Sequence, residues 1–207
     1  MIKEINSTIK SIFATPIYIS KLNRELTKKE LSFIDKNKSI SRKSVYNKMS
    51  NDSYILNNIE FKNLKKELNL TIQDYFNKII IPDNNIVPYI TQSWLNYTEI
   101  NESHHKHHHP NSLISGVFYI NSDKKFDKII FFNDIHQIIK PEVKEWNIWN
   151  SDCWWFSVET GNIILFPSFL NHMVETKQGN NTRISLAFNV FIKGKIGKKD
   201  NLTELNL

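Results

Sequence analysis

The sequence predicts a mainly β protein with N-terminal helices, its strands arranged as an antiparallel sandwich or barrel. Three observations carry this reading. From Ile86 onward, strand-like runs recur at 86–98, 112–121, 128–133, 145–149, 153–158, 162–166, 171–176 and 182–192. Polar or glycine turns separate them, and no helical period intervenes, which argues against a parallel sheet of alternating strands and helices. Ahead of Ile86 the apolar residues instead recur every three or four positions, the spacing of a helix face.

Taken in order, Ile12 to Ile19 read as a first strand, with Pro16 confining it to a sheet edge. A helix follows from Thr27, where Thr27 and Glu30 form a capping box and Leu31, Phe33 and Ile34 give an apolar side. Residues 38–56 are polar and carry no chemical signature. A longer helix starts near Asn57 or Asn58, with Phe61, Leu64, Leu68, Ile72, Tyr75, Phe76 and Ile79 as its core-facing stripe. Pro82 to Asn85 break it. The expected organisation is a helical part over 1–85 packed on the sheet, a β core over 86–192 and a basic tail over 193–207, all in one domain.

Composition narrows the function classes. Of 207 residues, 40% are hydrophobic and 12% aromatic, which excludes wholesale disorder. The lone Cys153 allows no internal disulfide and fits a reducing compartment. No apolar run reaches the length of a membrane span and no signal-peptide core is visible, so a cytoplasmic protein without a membrane partner is expected. The net charge of +6 is partly carried by Lys193, Lys195, Lys198 and Lys199. Such a short run more often makes a solvated tail than a nucleic-acid contact, so nucleic acid is not indicated as a partner. The Lys-, Asn- and Ile-rich usage suits an AT-rich genome, such as that of a marine bacterium or its phage.

Five of the seven histidines fall between His104 and His109. In an extended segment, positions i and i+2 point to one side, so His107 and His109 can share one ion. His105 with His107 is the other same-side pair, while His104 and His108 face away. The pair next to Pro110 is preferred because an apolar strand begins just beyond it. The alternative is a solvated polar loop; a purification tag is unlike an internal tract broken by Lys106. A third histidine, His172, opens a strand after the Gly161–Pro167 run, where a ligand from a distant strand would enter. Three protein ligands leave positions open for other molecules, as metal catalysis requires. Eleven residues on, Arg183 stands with Ser185, Ala187 and Asn189 on one face of a strand whose other face is Ile184, Leu186, Phe188, Val190 and Ile192. The arginine fork suits a carboxylate, and Ser185 can add a hydrogen bond.

These residues together resemble the iron(II)- and 2-oxoglutarate-dependent oxygenase superfamily. His107-His108-His109 stands where that family has its first ligand pair, His172 at the distal ligand, and Arg183 with Ser185 at the clamp for the cosubstrate's far carboxylate. The run His107-His108-His109-Pro110-Asn111-Ser112, followed by Ser115-Gly116-Val117-Phe118-Tyr119, is similar to a group of oxygenases from bacteria and phages. The resemblance spans roughly 86–192, with a weaker echo at Thr15-Pro16. It implies a double-stranded β-helix, the cupin-like jelly roll. It also implies Fe(II) on His107, His109 and His172, 2-oxoglutarate as cosubstrate, and hydroxylation of a substrate that the sequence does not name. Asn96 matches a position where relatives contact the cosubstrate, Tyr119 shares a strand face with Ser115 and Val117, Asp134 is a candidate substitute ligand or outer partner, and Asn189 is a candidate outer partner only.

One departure from the family pattern is that His109 replaces the metal-binding carboxylate, giving three neutral ligands. A cupin-like three-histidine metalloenzyme without 2-oxoglutarate is therefore the alternative, and a non-enzymatic jelly-roll binding protein a third. The Trp146, Trp149, Trp154 and Trp155 group reads as core more than as a substrate groove. A homodimer is an expectation from the fold.

Overall fold

The computed structural model describes residues 5–83, 85–133, 139 and 141–207. Its helices come first. Thr27 caps α1 (Lys28–Ser39): its hydroxyl accepts from Glu30 N–H, and the Glu30 carboxylate accepts from Thr27 N–H, so the capping box closes in both directions. Arg24 holds Glu30 from outside at 2.7 Å and reaches Glu67 as well. Ile34 is the buried apolar anchor of α1, whereas Leu31 points to solvent. The second helix starts later than its sequence pattern suggests. Two 3₁₀ turns, Ile55–Asn57 and Ile59–Phe61, precede α2 (Lys62–Tyr75), and a π-helical turn, Phe76–Ile80, follows it. The stripe from Phe61 to Phe76 is buried along this run.

The strands are β1 (Tyr18–Lys21), β2 (Arg42–Lys43), β3 (Lys48–Met49), β4 (Ile86–Thr98), β5 (His104–His107), β6 (Ile114–Asn121), β7 (Lys128–Phe132), β8 (Cys153–Ser157), β9 (Asn162–Pro167), β10 (His172–Val174), β11 (Arg183–Ile196) and β12 (Leu205–Asn206). One sheet has the order β1-β9-β6-β11-β4-β3-β2, with β12 on β11, and the other the order β5-β10-β7-β8. Every pairing within them is antiparallel. Along the chain, β4, β6, β9 and β11 fall in the larger sheet and β5, β7, β8 and β10 in the smaller. The chain thus crosses repeatedly between two facing sheets, which is the double-stranded β-helix, or jelly roll.

Period-two alternation splits the larger sheet into two working faces. On β11, Leu186, Phe188, Val190 and Ile192 join Leu95, Tyr97, Phe118 and Leu165 against Ile34, Leu64, Leu68, Ile72 and Tyr75 of the helices. The opposite face meets the smaller sheet through Tyr119, Ile129, Phe131, Val158, Ile164 and Phe166. The helices therefore seal one face of the sheet, and the other is left to build a cavity.

Three expectations need correction. The first strand occupies only Tyr18–Lys21, because Pro16 interrupts the preceding apolar run. Residues 145–149 form no strand: Asn147 caps a turn, its side chain accepting from Trp149 and Asn150 N–H. The segment after 192 is not simply a tail, since β11 continues to Ile196 and β12 folds back on it. Gly197, at φ +73°, lies where a Cβ would meet the Thr203 carbonyl, and that return requires it to be glycine.

Candidate functional site

The histidine tract becomes a site because of where β5 lies. His107 is level with His172 at the start of β10, and the row continues through Phe131 on β7 to Trp154 on β8. Past β5 the chain is held by His109 N–H donating to Ser168 carbonyl at 3.0 Å, then turned by Asn111 in the left-handed region, φ 57°. Ligand atoms of His107, His109 and His172 all lie within 4.8 Å of one another. His107 and His172 each donate Nδ1–H to a backbone carbonyl, of His105 at 2.8 Å and of Leu170 at 3.0 Å. That fixes the tautomer and leaves each Nε2 lone pair free. Trp94 stacks on His109 at 5.8 Å between centroids.

Burial keeps these rings neutral. Desolvation, joined by repulsion from neighbouring histidines, lowers His172 to about 3 and His109 to about 4, and desolvation lowers His107 too. Three neutral imidazoles within reach of one point fit a divalent transition metal.

The same cavity runs from these histidines to Arg183. Asn96, Thr98, Tyr119, Ser185 and Asn47 line its far end; Val117, Ile129, Phe166 and Val174 make its apolar walls. Arg183 is 4% exposed and donates through Nη1 to Asp127 at 3.2 Å. Asp127 also faces Lys177 Nζ at 3.5 Å, with both of those side chains fully buried. Among the described residues, two buried cations thus share one buried anion, which leaves one positive charge in excess beside the cavity. Desolvation holds the Tyr119 phenol well above its ordinary value, so it stays protonated.

The structure accordingly brings His107, His109, His172, Arg183, Ser185, Asn96 and Tyr119 together around one space. Asn189 lies behind it, accepting from Ser115, whose hydroxyl is 2.9 Å from that of Ser168. This chain of contacts steadies the Ser168 carbonyl that holds His109. Asp134 lies outside the described residues.

Two sequence expectations are overturned. His104 does not face away: it lines the cavity, and desolvation lowers it to about 3. A register shift on β5 sets the three steps from His104 to His107 against the two from His172 to Val174, so the alternation slips by one. His104, His105 and His107 consequently form another close ligand group. The tryptophans, in turn, are not core. Trp146, Trp149, Trp154 and Trp155 are all exposed, with Trp154 two strands along the row from His172. Asn47, Thr98, Asp127 and Lys177 belong to or adjoin the cavity without any motif that marks them in the sequence. The only available signal was the charge of the last two inside otherwise apolar or turn segments.

Comparison with known proteins agrees with this geometry. Residues 92–189 match the family model described as "Putative 2OG-Fe(II) oxygenase". No curated protein sequence matches the chain. Among solved structures, a 2OG-Fe(II) oxygenase family oxidoreductase from Burkholderia pseudomallei is 12% identical, with 83% of each chain covered and a TM-score of 0.53. HygX from Streptomyces hygroscopicus, solved with nickel and 2-oxoglutarate bound, is 11% identical over 85% of this chain and 82% of its own, with a TM-score of 0.53. A prolyl-4-hydroxylase from Pseudomonas putida is 9% identical over 84% and 92%, with a TM-score of 0.54. At such identities these structures speak for the fold, and the family match speaks for the segment that carries all three histidines and Arg183. The chain thus shares the fold of these oxygenases, and residues 92–189, just under half of its length, match the model of a 2OG-Fe(II) oxygenase family.

Proposed function

We propose that this protein is an Fe(II)- and 2-oxoglutarate-dependent dioxygenase that hydroxylates a substrate not yet assigned, with His107, His109 and His172 as its metal ligands. The observation that carries the reading is one cavity with three neutral histidines at one end and an excess buried positive charge at the other. A three-histidine set gives the metal no negative charge, so a dianion bound between the metal and Arg183 would balance both ends. When bound, the metal and 2-oxoglutarate supply the oxygen chemistry that converts a C–H bond to C–OH.

The chain's own residues have simpler tasks. The His105 and Leu170 carbonyls aim the His107 and His172 rings. Arg183 and Ser185 receive the far carboxylate, and Asp127 orients Arg183 without consuming its whole donor fork. Val117, Ile129, Phe166 and Val174 keep water from the middle of the cavity.

The test is anaerobic addition of Fe(II), then 2-oxoglutarate, watching for the weak visible charge-transfer band of a chelated 2-oxo acid. The band should form in wild type and vanish in Arg183→Ala, and His172→Ala should fail to bind iron at all. A second reading has its own observation in favour: Arg183 is already paired to Asp127, as in a purely structural ion pair. Iron bound without any band, and unaffected by Arg183→Ala, would establish a three-histidine metalloenzyme that does not use 2-oxoglutarate.

A further inference from the structure

The β2–β3 hairpin lies outside the segment matched by the family model, yet it supplies one wall of the cavity. Its turn is closed by Ser44 N–H donating to the Asn47 carbonyl at 2.7 Å. β3 then pairs with β4, Lys48 opposite Tyr97 and Met49 opposite Asn96. Extending that register by one residue sets Asn47 level with Thr98, which is itself level with Arg183 on β11. Alternation puts Asn47 on the face of Thr98 and Asn96, toward the cavity. On the other side Tyr46 packs against His105, 4.9 Å between centroids, so the hairpin bridges β4 to β5.

Asn47 is 1% exposed, and neither its Nδ2 nor its Oδ1 has a hydrogen-bond partner among the described residues. Asn96 Oδ1, nearby on the same face, is likewise without one. A buried carboxamide with nothing to bond is unfavourable, and an alanine there would avoid the penalty. Its place beside Arg183 and the excess positive charge makes an anion the fitting partner for its N–H.

We propose that Asn47 is a cosubstrate-binding residue, its Nδ2–H donating to the outer carboxylate of a 2-oxo dicarboxylate held by Arg183. This rests on the function proposed above. The hairpin is then part of the binding pocket, and its single carboxamide helps to distinguish a dicarboxylate from a monocarboxylate.

The test is calorimetric titration of nickel-loaded protein with 2-oxoglutarate, for wild type, Asn47→Ala, Asn47→Ser and Asn47→Asp. Loss of one hydrogen bond to a charged group should weaken binding about tenfold in Asn47→Ala. Asn47→Asp keeps the shape but turns the donor into an anion, and should weaken it by about a hundredfold or more. Nickel stoichiometry should not change, and binding of 2-oxobutyrate, which lacks the outer carboxylate, should be equal in wild type and Asn47→Ala. The ligand-free melting temperature of Asn47→Ala should be no lower than wild type, where a merely structural asparagine would lower it. Asn47→Ser serves should Asn47→Asp not fold. Wild-type binding matched within twofold by the alanine and serine variants, or by the aspartate variant, overturns the role of Asn47 alone. Failure of the nickel-loaded wild type to bind 2-oxoglutarate overturns the proposed function and this inference with it.

Discussion

Replacing Asp127 with Asn is the sharpest test of how the cavity's charge is held. Asp127 is fully buried, 3.2 Å from Arg183 Nη1 and 3.5 Å from Lys177 Nζ, and its other oxygen accepts from Asp123 N–H at 2.8 Å. The asparagine keeps the shape and one acceptor, so the change is mainly one of charge: two buried cations go from one counter-anion to none. Breaking a buried pair from one side costs about 3–5 kcal/mol. For a chain of this length that is roughly 6–20 °C in melting temperature. Chemical denaturation of the metal-free protein measures it. Adding Lys177→Met to Asp127→Asn restores the original net charge and should recover at least about 1 kcal/mol as coupling. An Asp127→Asn protein within about 1 kcal/mol of wild type would refute the claim that the three side chains form one electrostatic unit.

Other expectations follow from single contacts. Gly116→Ala would place a Cβ 2.2 Å from the Phe188 ring and 2.8 Å from Leu165, and should cost about 1–3 kcal/mol by overpacking, read from the same denaturation curves. Thr27→Ala opens the capping box of α1 and should cost about 1 kcal/mol. In the metal-free protein His172 is held well below 6.5, so between about pH 6.5 and 3 the unfolded chain takes up a proton that the folded chain refuses. Stability should therefore fall as pH falls through that window, by up to about 1.4 kcal/mol per pH unit for His172, with His104, His107 and His109 acting in the same direction. His172→Ala should flatten that dependence between pH 6 and 5; an unchanged slope would mean the ring is not buried as a neutral group.

The sequence made some of this architecture legible because local rules sufficed. The capping box, the α2 stripe and the alternation on β11 are all set within a few residues, and the span of β4 was readable to the residue. What stayed hidden depends on partners far along the chain. Asp127 reads as a turn residue until Arg183, 56 residues on, is brought beside it. Asn47 sits in a polar stretch whose meaning appears only when β3 pairs with β4. His104 was misplaced because strict alternation ignores a register shift, and such a shift is imposed by the partner strand. The tryptophans were misread because aromatic strand residues usually pack inward, whereas β8 is the last strand of its sheet and leaves Trp154 and Trp155 uncovered.

The slipped register of β5 also makes the two halves of the candidate metal site unequal under mutation. The tract is redundant in part: with His109 gone, His104, His105 and His107 remain on one short strand as a close ligand group, whereas His107 belongs to both groups found among the described residues. β10 carries His172 and then only Met173 and Val174, so that strand has no understudy. Loss of His109 can be absorbed by its neighbours, while loss of His107 breaks both groups and loss of His172 leaves no ligand on β10.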